Sequence, residues 1–263
     1  WRIIASVSGA IRTRPLALAI RTDTSKFHTT TPIRFFDTQT LPTFQPFELP
    51  NENDGIIEKY KFERYPLYVE LQTATGQVFR VLGLHLKSKG IFDAYEWSKW
   101  WAVADANRKK LIAQASRIRV EFLDRYLGDP ATQRIPLLVC GDINDGPGMD
   151  ASEKRLFGSA VERLMGNIWR PFLCLGNALF DTLSPKDQDN LRFDKIYTTT
   201  FKDPIFNNVW HREWIDHVLY SMNRAEWVTN AKVDTEMPDG KKIWDKYKHA
   251  SDHLPITVEV HLD

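Results

Sequence analysis

Two cysteines, Cys140 and Cys174, are too few and too far apart for a disulfide scaffold or a zinc site. No run approaches the roughly 18 apolar residues of a membrane span. Neither sign of charge is in excess: 35 Lys and Arg stand against 34 Asp and Glu, a formal +1. Attraction of the whole molecule to nucleic acid is therefore not indicated, and phosphate binding must come from a local site. There is no internal repeat and no linker. The first residue is Trp1 rather than Met, which reads as a start inside a longer frame. The lack of a leader then says nothing of compartment, cytoplasmic or secreted.

With 43% apolar residues the chain can bury a large core, and residues 1–263 read as a single domain. Trp1–Ser8 and Pro15–Arg21 look like neighbouring strands. From Thr22 to Asn53 the sequence reads as loop, with one short edge strand near Ile33–Phe36 and with Phe35, Phe36, Phe44 and Phe47 pinning the loop to the body. Tyr65–Leu71 and Gln77–Leu84 form the clearest hairpin, turned at Thr73–Gly76. Ala102–Leu127 is the best helix, with Val103, Ala106, Leu111, Ala115, Ile118, Phe122 and Leu123 near helical spacing and Gly128 as its stop. A weaker helix is expected over Ala151–Met165. Asn167–Phe206 gives mixed signals and no assignment. Trp214–Tyr220 and Leu254–Val260 read as strands.

The stretch with most chemistry is Ile135-Pro-Leu-Leu-Val-Cys-Gly-Asp-Ile-Asn-Asp-Gly-Pro147. Pro136–Cys140 reads as a strand buried on both faces, with Cys140 a core residue. The chain then delivers Asp142 and Asn144 into a loop that Gly146, Pro147 and Gly148 keep irregular. A carboxylate there suits a hard cation or a water, and an amide can donate to phosphate without adding negative charge. An Asx-turn ending a strand is the plainer alternative. Three more polar sites share the strand-end position: His85, Asp216, and Ser251-Asp252-His253. Asp is depleted in strands, so Asp216 asks for a partner. Four complementary sites on strand edges outweigh the bland reading of each.

His85-Leu-Lys-Ser88, Gly141-Asp-Ile-Asn-Asp145, Trp214-Ile-Asp-His217 and Ser251-Asp-His253 together resemble the endonuclease/exonuclease/phosphatase superfamily in order and spacing. Arg64-Tyr-Pro-Leu67 and Pro15–Arg21 look like its framework strands. The resemblance implies an α+β fold: two packed, mainly antiparallel β-sheets flanked by helices, a four-layer α/β/β/α sandwich. It implies that Asp216 orients His253, which takes a proton from the attacking water. Asp252, with Asp142, would hold Mg²⁺ or Mn²⁺. Asp142 would also orient the nucleophile or assist the leaving group. Asn144 would donate to the phosphoryl oxygens, and His85 to the phosphate from its other side. Lys87 and Ser88 join Asn144 as substrate-binding residues. His217 should face away from Asp216 and is read as structural.

The family's first two motifs, an Asn and a metal-binding Glu, have no convincing counterpart. Glu48, Glu52 and Glu58 fall in loop or ill-defined sequence, so the chain is expected to be N-terminally truncated. The resulting expectation is a metal-dependent phosphodiesterase, a nuclease first, on the basic patch of Lys87, Lys89 and Arg108-Lys109-Lys110 near His85. Phosphatase or phospholipase chemistry and a non-catalytic phosphate-binding module are the alternatives. Trp97, Trp100 and Trp101 read as closing the core over the helix start, or else as stacking on bases or gripping a membrane surface.

Overall fold

The computed structural model describes residues 1–6, 15–50, 55, 57–91, 96–190, 193–203, 208–224, 226–247 and 250–262. In chain order the strands are β1 (Arg2–Ala5), β2 (Ala17–Ile20), β3 (Ile33–Phe36), β4 (Phe47–Pro50), β5 (Ile57–Tyr60), β6 (Leu67–Gln72) and β7 (Val78–His85). After helix α1 (Trp97–Ile118), a π-turn at Arg119–Leu123 and α2 (Asp124–Gly128) comes β8 (Leu137–Asp142). Helices α3 (Ala151–Leu156) and α4 (Ala160–Met165) precede β9 (Leu175–Asn177), and α5 spans Pro185–Asp189. The chain ends with β10 (Thr199–Asp203), β11 (Val209–Glu213), β12 (Asp216–Ser221), β13 (Val228–Val233), α6 (Ile243–Tyr247) and β14 (Ile256–Val260).

Six strands form the central sheet, in the order β3-β6-β7-β8-β12-β9. Its pairings are antiparallel except β7–β8, which is parallel and crossed over by α1. The period-2 pattern of the strands sends side chains alternately into two cores. On one face Leu82, Leu84, Leu137, Val139 and Leu219 pack against Leu111, Ala115 and Ile118 of α1 and Leu164 of α4. On the other, Val69, Phe79, Val81, Leu138 and Val218 meet Ile20, Trp227, Val228 and Ala231, with Val258 and Val260. The second sheet layer is made, among the described residues, of the two-stranded ladders β1–β2 and β13–β14. The α+β architecture with a sheet-on-sheet core is the one the sequence led us to expect. No helix of the described residues is long and apolar enough to cross a membrane.

Several local expectations need correction. Ala104 rather than Ala106 faces the core, and α1 starts earlier than expected, at Trp97. The π-turn then shifts the helical phase before Leu123 is buried. Arg119 sits at that turn, donating to the carbonyls of Leu164 and Leu173 at 3.0 and 2.9 Å. The helix expected over 151–165 is two helices. Asp150 opens α3 with a capping box, Phe157 ends it at φ 51°, and Ser159 starts α4. Trp97 and Trp101 do not close the core: they are 73% and 54% exposed.

Candidate active site

The register of the sheet brings the site together. β7, β8 and β12 are adjacent, and their pairing sets His85 opposite Asp142 and Asp142 opposite Asp216. Partners in register project on one face, and these three continue the face of Val81, Leu138 and Val218 that looks toward the second layer. They stand where three strands end, at the mouth between the layers. Gly141 makes this possible. Its φ is +129°, and a Cβ there would lie 2.2 Å from the Leu84 carbonyl oxygen, so β8 can approach β7 this closely only with glycine.

His253 arrives from the last stretch of chain. It bridges Thr199 of β10, and Thr198 Oγ1 accepts the main-chain N–H groups of Ile215 and Asp216 at 3.1 and 3.0 Å. Its Nδ1–H donates to Asp216 Oδ2 at 2.8 Å. This bond and the Asp216 charge overcome burial and push the imidazole up to about 9. One ligand atom each from Asp142, Asp216 and His253 lie within 4.8 Å of one another, the one such cluster among the described residues. Burial, then the neighbouring Asp216 charge, pushes the Asp142 carboxyl up to about 6. His85 Nε2 is 3.2 Å from Asp142 Oδ2. Burial and the nearby Arg64 push its imidazole down to about 4, so it is neutral at pH 7.

Other expected residues are placed differently. Asn144 adopts φ 58°, and its main-chain N–H donates to Asp142 Oδ1 at 2.9 Å. Its side-chain amide donates one hydrogen to the Leu86 carbonyl at 3.1 Å, which leaves the second for a ligand. Asp252 is not in the cluster: its side chain is 72% exposed, with Oδ1 4.0 Å from His253 Nε2. Lys87 donates its main-chain N–H to Gln114 Oε1, and the Ser88 hydroxyl accepts the Gly90 N–H. Two of the five cations of the expected basic patch are engaged by carboxylates. Lys89 is held by Asp145 and Glu153 at 2.7 and 2.9 Å, and Arg108 by Asp150 at 2.7 Å. Glu48 pairs with Lys59 across the exposed β4–β5 hairpin and Glu58 accepts from Tyr60, while Glu52 lies outside the described residues.

Arg64 is the residue that sequence reasoning passed over, naming it only as framework. Its charge acts on both His85 and Asp142, and its Nε is buried without a hydrogen-bond partner among the described residues. A buried guanidinium N–H without an acceptor is costly and suits an anion that would supply one. The signal available was weak: a single Arg ahead of a hairpin.

No protein-family model matches the chain, and no curated protein does. Solved structures do. The beta toxin of Staphylococcus aureus is 17% identical with a TM-score of 0.42, over 76% of this chain and 59% of its own. An endonuclease/exonuclease/phosphatase family protein of Bacteroides thetaiotaomicron is 15% identical, TM-score 0.46, over 100% and 75%. A mannosyl-6-phosphatase of the same bacterium is 16% identical, TM-score 0.47, over 99% and 76%. The chain is similar in structure to endonuclease/exonuclease/phosphatase proteins. It spans less than two thirds of the length of the beta toxin.

Proposed function

We propose that the chain carries the site of a metal-dependent phosphoester hydrolase that attacks with an activated water. The observation that carries this reading is the Asp216–His253 pair, bonded at 2.8 Å and facing the partly buried carboxylate of Asp142. With Nδ1–H committed to Asp216, Nε2 of His253 is the nitrogen that would take the proton of the attacking water, once a cation beside Asp142 and Asp252 offsets the charges that hold the imidazole protonated up to about 9. Asp216 fixes the tautomer and stabilises the imidazolium formed when that water gives up its proton. Neutral His85 and the second amide hydrogen of Asn144 donate to phosphoryl oxygens, while Arg64 adds positive charge.

The donor set fits a hard divalent ion. Burial, and then the neighbouring Asp216, make the Asp142 carboxyl resist ionisation, which a cation would relieve. Asp142, with Asp252 at the rim, would hold Mg²⁺ or Mn²⁺. Such an ion would supply Lewis-acid stabilisation of the charge that develops on the phosphoryl oxygens. Within this class we favour phosphodiesters, nucleic acid among them. Lys87 and the exposed aromatic–cation pair of Trp101 and Arg155, 4.5 Å apart, offer contacts to a strand.

The test is hydrolysis of bis(4-nitrophenyl) phosphate and of single-stranded DNA with Mg²⁺, Mn²⁺ or EDTA, comparing the protein with His253→Ala. Metal-dependent turnover lost in that variant supports the reading. Turnover that is equal in EDTA, or in His253→Ala, overturns it.

A further inference from the structure

Behind the site two buried carboxylates are bridged by Lys89, whose own side chain is 22% exposed. Asp145 is fully buried and Glu153 is 2% exposed. Lys89 Nζ donates to Asp145 Oδ1 at 2.7 Å and to Glu153 Oε1 at 2.9 Å. The other carboxylate oxygen of Asp145 accepts from Ser159 Oγ at 2.8 Å and from the N–H groups of Ala160 and Val161 that open α4. Its main-chain carbonyl accepts from His217 Nε2–H at 2.8 Å. His217 is itself buried, and its Nδ1 accepts from the Asn177 amide at 3.1 Å.

The positions of these partners in the chain matter more than their number. Lys89 stands four residues past His85 at the end of β7. Asp145 stands three past Asp142 and one past Asn144 at the end of β8. His217 directly follows Asp216 at the start of β12. Asp145 therefore ties together three of the four segments that deliver the site groups, all but that of His253, and anchors them to α4. Charges in a core are an expensive way to stabilise it, and well-packed apolar residues often do as well or better. An arrangement that fixes three strand ends at one point makes sense of the expense, because groups beyond the first contact layer hold reactive ones in place.

We propose that Asp145, acting with Lys89 and His217, is the positioning residue of the site: it sets the relative placement of His85, Asp142, Asn144 and Asp216. Its catalytic readout rests on the hydrolase reading above. Four variants test it: Lys89→Met, the conservative Lys89→Arg, the double Lys89→Met/Glu153→Gln, and His217→Gln. Lys89→Met alone leaves two buried carboxylates facing each other and is the one at risk of not folding. The double variant and His217→Gln avoid that pairing.

For each variant, bis(4-nitrophenyl) phosphate kinetics are read beside thermal melting and amide hydrogen exchange. The amides of Leu86 and Asn144 are the reporters, since they donate to the Asp142 carbonyl and carboxylate at 3.0 and 2.9 Å. We expect kcat to fall about 10–100-fold with KM within about twofold. Melting should stay cooperative, exchange should quicken at Leu86 and Asn144 but not in β6, and Lys89→Arg should restore most of kcat. Wild-type kcat and unchanged exchange in a cooperatively folded double variant and in His217→Gln would overturn the proposal. If the unmutated protein hydrolyses no phosphoester, it is the hydrolase reading that fails. The exchange comparison then decides alone: quickening confined to the reporters supports positioning, and unchanged exchange overturns it.

Discussion

His253 Nδ1 lies 2.8 Å from Asp216 Oδ2, across 37 residues of chain and between the two layers of the sandwich. The bond is made by topology. Thr199 bridges His253, and neighbouring Thr198 receives the Asp216 N–H, so one short segment sets both partners. A carboxylate fixed this way dictates the tautomer of the imidazole and raises its basicity at once.

Replacing Asp216 with Asn should therefore lower kcat by about 10²–10⁴-fold while leaving the fold intact, because the amide favours the wrong tautomer. The same change should bring His253 down from about 9 toward its ordinary value, since the bond to Asp216 is the largest cause of the elevation. NMR titration of the His253 ring reads the second effect without any substrate. A His253 that still titrates near 9 in Asp216→Asn would show that the pair is not what holds its proton.

Metal should act on the same nitrogen. After Asp216, the groups that raise His253 are Asp142 and Asp252. Those are the two carboxylates proposed to bind the ion, and a cation there would cancel their pull. Adding Mg²⁺ should lower the His253 titration midpoint, and Ca²⁺, with the same charge, should do likewise. A midpoint unmoved at saturating Mg²⁺ would take at least one of these carboxylates out of the metal site.

Arg64→Gln should leave melting within a few degrees and weaken catalysis about 10–100-fold. The buried Nε of the guanidinium bonds to nothing among the described residues, so the loss should fall on anion binding. Inorganic phosphate, added as an inhibitor, should bind correspondingly less well. With one of the positive neighbours that hold it down removed, His85 should also titrate higher than about 4. Unchanged phosphate inhibition would assign Arg64 a structural place only.

What could be read from the sequence follows from what period and spacing encode. The hairpin of β6 and β7 and the strand of β8 announce themselves by alternation and by bounding turns. His85, Asp142, Asp216 and His253 were legible because each stands at a strand end, where a polar residue breaks an apolar run. Lys89 was not. It reads as part of a basic patch until the fold brings Asp145 and Glu153 to it from 56 and 64 residues away. Trp97 and Trp101 were misjudged for a related reason: an aromatic at helical spacing looks like core, and only the packing of α1 shows which face is covered. The split between α3 and α4 was written in Asp150–Glu153 and Ser159–Glu162, two start signals within one apparent helix.

Asp142 offers the sharpest test of a site that trades stability for chemistry. Its carboxyl titrates near 6 in the folded protein, above the ordinary 3.8, with burial the main cause and the Asp216 charge next. A raised folded value means the native state holds the proton more tightly than the unfolded chain does. The stabilising contribution is thus fully present below about pH 3.8 and is lost as pH rises through about 6. Above that the ionised group is a liability, and Asp142→Asn removes it while keeping an oxygen for the Asn144 N–H. Without metal, the variant should melt about 2–4 °C above the parent at pH 7.5, corresponding to about 1 kcal/mol in a chain of this size. The gap should close toward pH 4, where the parent's Asp142 is protonated. Mg²⁺ should then raise the melting point of the parent but not of the variant, because only the parent gains from binding. Activity should be lost in the variant at every pH. Equal melting points at pH 7.5, or a gap that widens in acid, would show that Asp142 is not held against its preference to ionise.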